Sequence, residues 1–347
     1  HTRTNVAERS DMTRLVVTSI AGFSLLLLAC VPGDSRTLVI GPIEALPSPA
    51  GPGSGEPNLA AMPSGRVYLS WLEPEGASAH SLRFATLESG AWSLPRTIAQ
   101  RSDFFVNWAD FPSVVPLAEG RLAAHWLQRN GSAKYGYDVR VTQSSDGGET
   151  WSIPVVPHRD GTVTEHGFVS LFPFHDSLGA IWLDGRNFAD AAKGEGADMM
   201  LVMTSVAPDG TTGPEHVLDA RVCDCCQTSL AVVSSGPIVA YRDRSEGEVR
   251  DVAILRWSQS GWTSGTVVHP DGWKIDFCPV NGPAIAADGA RVAVAWFTAA
   301  RDTARVYLAR SDDAGATFSP PTRIDDGNPV GRVDVELDDR GGAVVSW

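Results

Sequence analysis

The 347-residue sequence has no long stretch of helical periodicity, so it offers nothing from which a helical bundle is built. Basic residues are in deficit, 28 Lys and Arg against 41 Asp and Glu, and the net charge is −13. That balance argues against nucleic acid and against adsorption to anionic lipid, since both select positive charge. Long apolar runs are missing except over residues 15–28, and that run is short for a membrane span. Cysteine is scarce: five residues, four of them at Cys223, Cys225, Cys226 and Cys278. What the chain holds in quantity is turn chemistry, 34 Gly and 23 Pro, between short runs that alternate apolar and polar residues. The expectation is one all-β domain.

The beginning of the chain stands apart from the fold. Arg3, Arg9 and Arg14 precede the apolar run, which closes on Leu27-Leu28-Ala29-Cys30. A basic start, an apolar stretch and a small residue before the cut describe a secretory signal over residues 1–30. The ending resembles a bacterial lipobox. That implies lipidation of Cys30 and residence in the cell envelope, with the membrane contacted through the lipid anchor only. Val31 after the cysteine is similar to outer-membrane sorting signals. An ordinary signal peptide or a lone anchor helix is the alternative. Residues 31–56 are rich in Pro, Gly and Ser and read as a tether, with residues 37–40 able to add a strand to the last blade. The chain stops within a strand pattern at Trp347, so the last blade is expected to be incomplete in this chain.

From residue 57 to 347 one motif returns at intervals of about 55 residues. It reads GRVYLSW to Trp71, GRLAAHW to Trp126, DSLGAIW to Trp182, GPIVAY to Tyr241, ARVAVAW to Trp296 and GGAVVSW to Trp347. A fixed long period signals a repeat architecture. Each copy alternates over six or seven positions between Gly, Asp or Pro, as strands do. Blade starts fall at Pro57, Asp110, His166, Cys223, Cys278 and Gly331. The expected fold is a six-bladed β-propeller of four-stranded antiparallel blades.

Two turns carry a sharper pattern, Ser144-Ser-Asp146-Gly-Gly-Glu-Thr150-Trp151 and Ser311-Asp-Asp313-Ala-Gly-Ala-Thr317-Phe318. In each the carboxylate can accept backbone N–H bonds, Gly supplies a positive φ and the aromatic plugs into the blade. Both fit the Asp-box (BNR repeat), and residues 55–347 resemble the bacterial sialidase-like six-bladed propellers. In that family Asp-boxes are structural, so Asp146 and Asp313 are expected to be structural here. The resemblance implies an exo-α-sialidase-like glycoside hydrolase acting on an anionic sugar. The family's Arg-Ile-Pro motif is absent. Its Tyr nucleophile finds no match in Tyr241, which replaces the repeat's Trp and reads as core.

The topology of a four-stranded blade places Asp-box turns on one face and gathers the inter-blade links and two-to-three loops on the other. That second face carries Arg159, Arg186, Arg242, Arg244 and Arg250 with Asp160, Glu165, Asp184, His166 and Asp243. Arginine forks grip carboxylates in two-pronged fashion, so these arginines with Asp184 and His166 are candidate substrate ligands. Asp160 and Glu165 are the candidate catalytic acids, because hydrolysis of a glycoside needs a protonated carboxyl. An internal ion-pair network that staples blades together accounts for the same residues. A non-catalytic propeller binding a glycan, a protein or a soft metal is the alternative function.

Cys223, Cys225, Cys226 and Cys278 fall in successive links of the same face. Export favours disulfides, from the cluster to Cys278 or from Cys223 to a neighbour, because adjacent Cys225 and Cys226 pair only through a strained ring. No cofactor is expected otherwise; a copper or zinc site assisted by His166 or His269 is the minority reading. Trp108, Trp273 and Phe297 are candidates for a sugar-stacking wall, or for blade packing. The partner expected is a glycan or other anionic small molecule, bound by a monomer.

Overall fold

The computed structural model describes residues 44–117, 120–191, 197–338 and 340–347, and Glu44–Trp347 form one compact unit. The signal segment, Cys30 and the tether up to residue 43 lie outside the described residues.

Alternation with a period of two makes strands, and each strand meets the next through a tight turn. The result is six antiparallel sheets in chain order. They begin at Gly55–Ala61, Ser113–Pro116, His166–Phe174, Ser229–Val233, Ala284–Asp288 and Asp334–Leu337, close to the six expected starts. The second strands carry the repeat motif: Val67–Glu75, Leu122–Arg129, Ser177–Asp184, Gly236–Arg242, Arg291–Thr298 and Ala343–Ser346. Helix is confined, among the described residues, to single turns such as Phe188–Ala191 and Ala300–Asp302.

The expectation of four strands per sheet is corrected in part. Among the described residues, the third and fifth sheets have four. In the first and fourth the outermost strand is broken in two, both pieces pairing with the third strand. The second keeps three, its outer position reduced to the single bridge Val141–Val155. The sixth sheet has two strands. Outer strands meet water along one edge and lose packing partners, so they are the ones that fragment.

Period two also decides what each sheet touches. In the fourth sheet Val239, Tyr241, Ala253 and Leu255 pack on the third sheet, whereas Ile238, Ala240, Val252 and Ile254 pack on the fifth. The same sharing joins the first to the second, the second to the third and the fifth to the sixth sheet. The core is therefore a series of apolar seams between sheets set face to face. Trp126, Trp182, Tyr241 and Trp296 are large plugs of these seams, and they and Trp71 are each at most 2 % exposed. Removing one such ring costs about 3–5 kcal/mol. Trp71, Trp182 and Trp296 turn the indole N–H to a carboxylate, on Glu73, Asp184 and Asp271.

All six first strands line one axial cavity of about 740 Å³, the layout of a β-propeller. The turns at Asp146 and Asp313 close as their residue types require. Asp146 accepts from the hydroxyls of Ser144 and Thr150 and from the N–H groups of Glu149 and Thr150. Asp313 accepts from Ser311, Thr317 and the Thr317 N–H. Trp151 meets Phe84 of the first sheet edge-on at 6.1 Å, so this turn pins one sheet to the next. Gly148 has φ +90°, and a Cβ there would sit 2.5 Å from the Phe84 ring.

Candidate functional site

The links and two-to-three loops of the second, third and fourth sheets bring their polar residues into one continuous band. At its outer end His158 and His166 stack with parallel rings 3.8 Å apart. Both reach Asp160 Oδ1, at 3.1 and 3.2 Å, while Thr162 donates its N–H and hydroxyl to the other oxygen. Burial opposes ionisation of Asp160, but these bonds outweigh it and hold the carboxyl far below its ordinary range. The carboxylate form of Asp160 is therefore strongly favoured, which speaks against the expected role of catalytic acid.

His166 is fully buried, and every atom facing its ring nitrogens is an acceptor. Nδ1 meets the carbonyls of Tyr137 and Thr164, and Nε2 meets Asp160, with Asp184 at 3.7 Å. Burial works against its charge, yet the bond to Asp160 and the charges of Asp184 and Asp160 raise its pKa. Such surroundings fit an imidazolium with both nitrogens donating. The oxygen and nitrogen atoms of Asp160, His166 and Asp184 cluster closely enough for a metal, and both Asp184 oxygens are already held by Arg186.

Asp184 is sealed from solvent. It accepts from Trp182 Nε1 at 2.8 Å and from Arg186 Nε and Nη2 at 2.8 and 2.6 Å. Arg186 also pairs with Glu215 at 2.7 Å. Arg159 is spent on Thr212 and, through its N–H, on Glu215. Arg242, 1 % exposed, donates to the carbonyls of Asn281, Arg250 and Phe297 and lies over the Trp273 ring. Arg244 holds Glu248 and Asp224; Arg250 holds Glu248. The five arginines thus fall into two groups with internal partners, and none lines the axial cavity. The expected convergence of these arginines on one ligand, with Asp184 and His166, is not seen: most of their donors face partners within the chain.

The middle of the band holds the groups with unusual protonation. Tyr137 starts the third strand of the second sheet and is buried; its hydroxyl lies 3.1 Å from Asp110 Oδ2 and 3.0 Å from Glu165 Oε1. Asp110 also accepts the Phe168 N–H at 2.7 Å. Burial, with the nearby Glu165 charge, pushes the Asp110 carboxyl up to about 8. Burial, with the charge of Asp224, pushes Glu165 up to about 7. Burial and both carboxylates push the Tyr137 phenol higher still. Glu165 alone of the three is open on one side. Asp110 and Tyr137 were missed in the sequence; the signal for Asp110 was its place at a blade start.

Glu165 borders the third part of the band through Asp224, inside the cysteine turn. The sulfurs of Cys223, Cys225 and Cys226 lie within 4.8 Å of one another, Cys223 and Cys226 at 2.7 Å, and Cys278 reaches Cys225 from the next link. Burial opposes ionisation of Cys223, but its bonds with Cys225 and Cys226 and the Arg242 charge reverse the effect and lower its pKa. Neither histidine expected to assist is here: His166 belongs to the Asp160 cluster, and His269 lies by Asp271 and Tyr307.

Trp273 and Phe297 are buried and pack together at 5.6 Å, so they are not a sugar wall. Trp108 is 61 % exposed. Arg332, 224 residues later, lays its guanidinium over the indole at 4.1 Å and lines the axial cavity. No carboxylate pairs with Arg332 among the described residues. Sequence reasoning missed it.

No protein-family model matches the sequence, and no curated protein matches it. Solved structures do resemble it. AofleA from Arthrobotrys oligospora aligns with a TM-score of 0.50 and 13% identity over 84% of this chain and 78% of that one. The Hadza microbial sialidase Hz136 aligns at TM-score 0.48 and 14% identity, over 82% of this chain and 61% of that chain. A polysaccharide lyase of family PL25, an ulvan lyase, aligns at 0.47 and 13%, over 81% and 72%. The chain thus spans about three fifths of the Hz136 chain. At such identities the likeness concerns the fold alone.

Proposed function

We propose that this chain is a carbohydrate-directed six-bladed propeller, a glycoside hydrolase acting on an anionic sugar, with Glu165 as the proton donor. The observation that carries the reading is a half-buried carboxyl raised to about 7, open on one side and hydrogen-bonded to Tyr137 on the other. A donor near neutral pKa holds its proton before the reaction and releases it readily, which is what leaving-group protonation requires. Tyr137 and the Asp110 behind it position Glu165, and the imidazolium–Asp160–Asp184–Arg186 array stiffens the loop that carries it. The tight turn Asn107–Asp110 buries Asp110, which the Tyr137 hydroxyl joins to Glu165, and presents Trp108 at the surface. There Trp108 offers a flat face for a sugar ring and Arg332 a charge for an acidic substituent. Sialosides are the first substrates of choice. Export and lipid anchoring through Cys30, with residence in the bacterial cell envelope, belong to the same proposal and rest on residues 1–30 alone.

The test is turnover of a panel of α-sialosides and uronic-acid glycosides by the full chain. Glu165→Gln is expected to lower kcat by about 10²–10⁴-fold with the fold intact. Because the acid form must be present, wild-type kcat should fall as pH rises through about 7. Undiminished turnover by Glu165→Gln refutes the assignment. Internal pairing of the five arginines favours a second reading, a glycan-binding propeller without catalysis. No turnover of any glycoside, with saturable binding lost in Trp108→Ala, selects it.

A further inference from the structure

We propose that Cys223, Cys225, Cys226 and Cys278 together hold one thiophilic closed-shell cation, Cu⁺ or Zn²⁺. This site does not depend on the glycosidase reading. Three of the sulfurs come from a single turn and converge within 4.8 Å, and the fourth arrives from the next link beside Cys225. Cys223 and Cys226, 1 % and 2 % exposed, face each other at 2.7 Å as free thiols, so the turn brings two buried sulfurs to a point where one cation can join them. Soft thiolate ligands in threes and fours select Cu⁺ and Zn²⁺ over hard cations.

A neutral disulfide also joins two sulfurs, and the surroundings decide between the two. Arg250 is 3 % exposed, its Nη1 lies 3.5 Å from Cys223 Sγ, and its Nε has no hydrogen-bond partner. A buried guanidinium with an orphaned donor is favoured by negative charge beyond that of Glu248 and the nearby Asp224. A disulfide adds none, whereas a thiolate cluster around a cation adds net negative charge at that spot. Arg242 and Arg244 flank the same turn. Cys278 is exposed and Cys225 partly so, which leaves the ion a route from solvent to the buried pair.

The experiment uses the full chain, reduced and freed of metal under anaerobic conditions, with circular dichroism to show that it remains folded. Cu⁺ is titrated against bicinchoninate, and Zn²⁺ against a chromophoric chelator. Co²⁺ is substituted to look for thiolate-to-metal charge-transfer absorption. One equivalent of Cu⁺ or Zn²⁺ bound, with that absorption, is expected. Cys225→Ser should weaken binding at least 100-fold. Cys278→Ser, at an exposed position that leaves the fold undisturbed, should weaken it at least 10-fold. Folded, reduced protein that binds neither ion overturns the proposal, as does unchanged affinity in Cys278→Ser. So does protein isolated with both a Cys223–Cys226 and a Cys225–Cys278 disulfide that, once reduced, takes up no metal.

Discussion

Replacing Asp110 by Asn should make the protein more stable, by an amount that depends on pH. Asp110 is 1 % exposed, and its carboxyl titrates near 8 in the folded chain against 3.8 for a free side chain. Between those values the folded state holds a proton that the unfolded state has released. Stability therefore falls as pH rises, by about 1.4 kcal/mol for each unit between pH 4 and 8. At pH 7 the accumulated cost approaches about 4 kcal/mol, an upper limit because partial ionisation and water penetration reduce it. Asparagine keeps the geometry. Its Oδ1 accepts the Phe168 N–H, its amide donates to the Tyr137 hydroxyl, and Tyr137 still donates to Glu165. It carries no titration. Urea unfolding followed by tryptophan fluorescence at pH 4.5, 6.0 and 7.5 should show an advantage of only about 1 kcal/mol at the lowest pH. The variant's advantage should then widen at each step. A variant that is less stable at pH 7.5, or a difference that does not change with pH, would refute the account of Asp110 as a buried, protonated carboxyl.

Other substitutions probe the same band. Asp184→Ala strands the Trp182 indole N–H in a sealed pocket and takes one carboxylate from Arg186, which keeps Glu215, and should cost about 2–3 kcal/mol in denaturant unfolding. Gly282→Ala drives a Cβ into the Gln227 backbone, which has no flexible end to yield. It should separate the two links that carry the cysteines, seen as a lower melting temperature together with weaker Cu⁺ uptake; a melting curve identical to wild type would show that the approach is not tight.

Much of the architecture is legible along the chain because it depends on local geometry. Gly and Pro mark the turns, and alternation over Val67–Glu75 or Gly236–Arg242 selects an extended strand with two unlike faces. The 55-residue return of Trp71, Trp126, Trp182 and Trp296 marks the same place in successive sheets, and each is buried there. The Asp-box turns are equally local, since Asp146 and Asp313 bind groups within four residues. The number of strands was less legible. Outer strands such as Arg96–Arg101 pack on one side only, and their breaks follow from solvent exposure rather than pattern.

The candidate site divides along the same line. Topology alone gathers the links and loops on one side, and Glu165, the histidines and the cysteines are found there in one band. Which of them are free to act is a matter of contact. Arg186 and Arg242 look alike in sequence, yet one holds Asp184 and Glu215 while the other is walled in by three carbonyls. Asp160 and Glu165 are five residues apart, and histidine neighbours lower one carboxyl while burial raises the other.

By itself, then, the sequence determined the repeat, the strands and the turns, because backbone preference and two-residue alternation act over a few residues. Only the tertiary structure decided that Tyr137 bridges Asp110 and Glu165 across three segments, and that Arg332 meets Trp108 from 224 residues away. Protonation and pairing depend on which groups are packed within a few ångströms and how much water is excluded, and those quantities exist only once the sheets are set against one another.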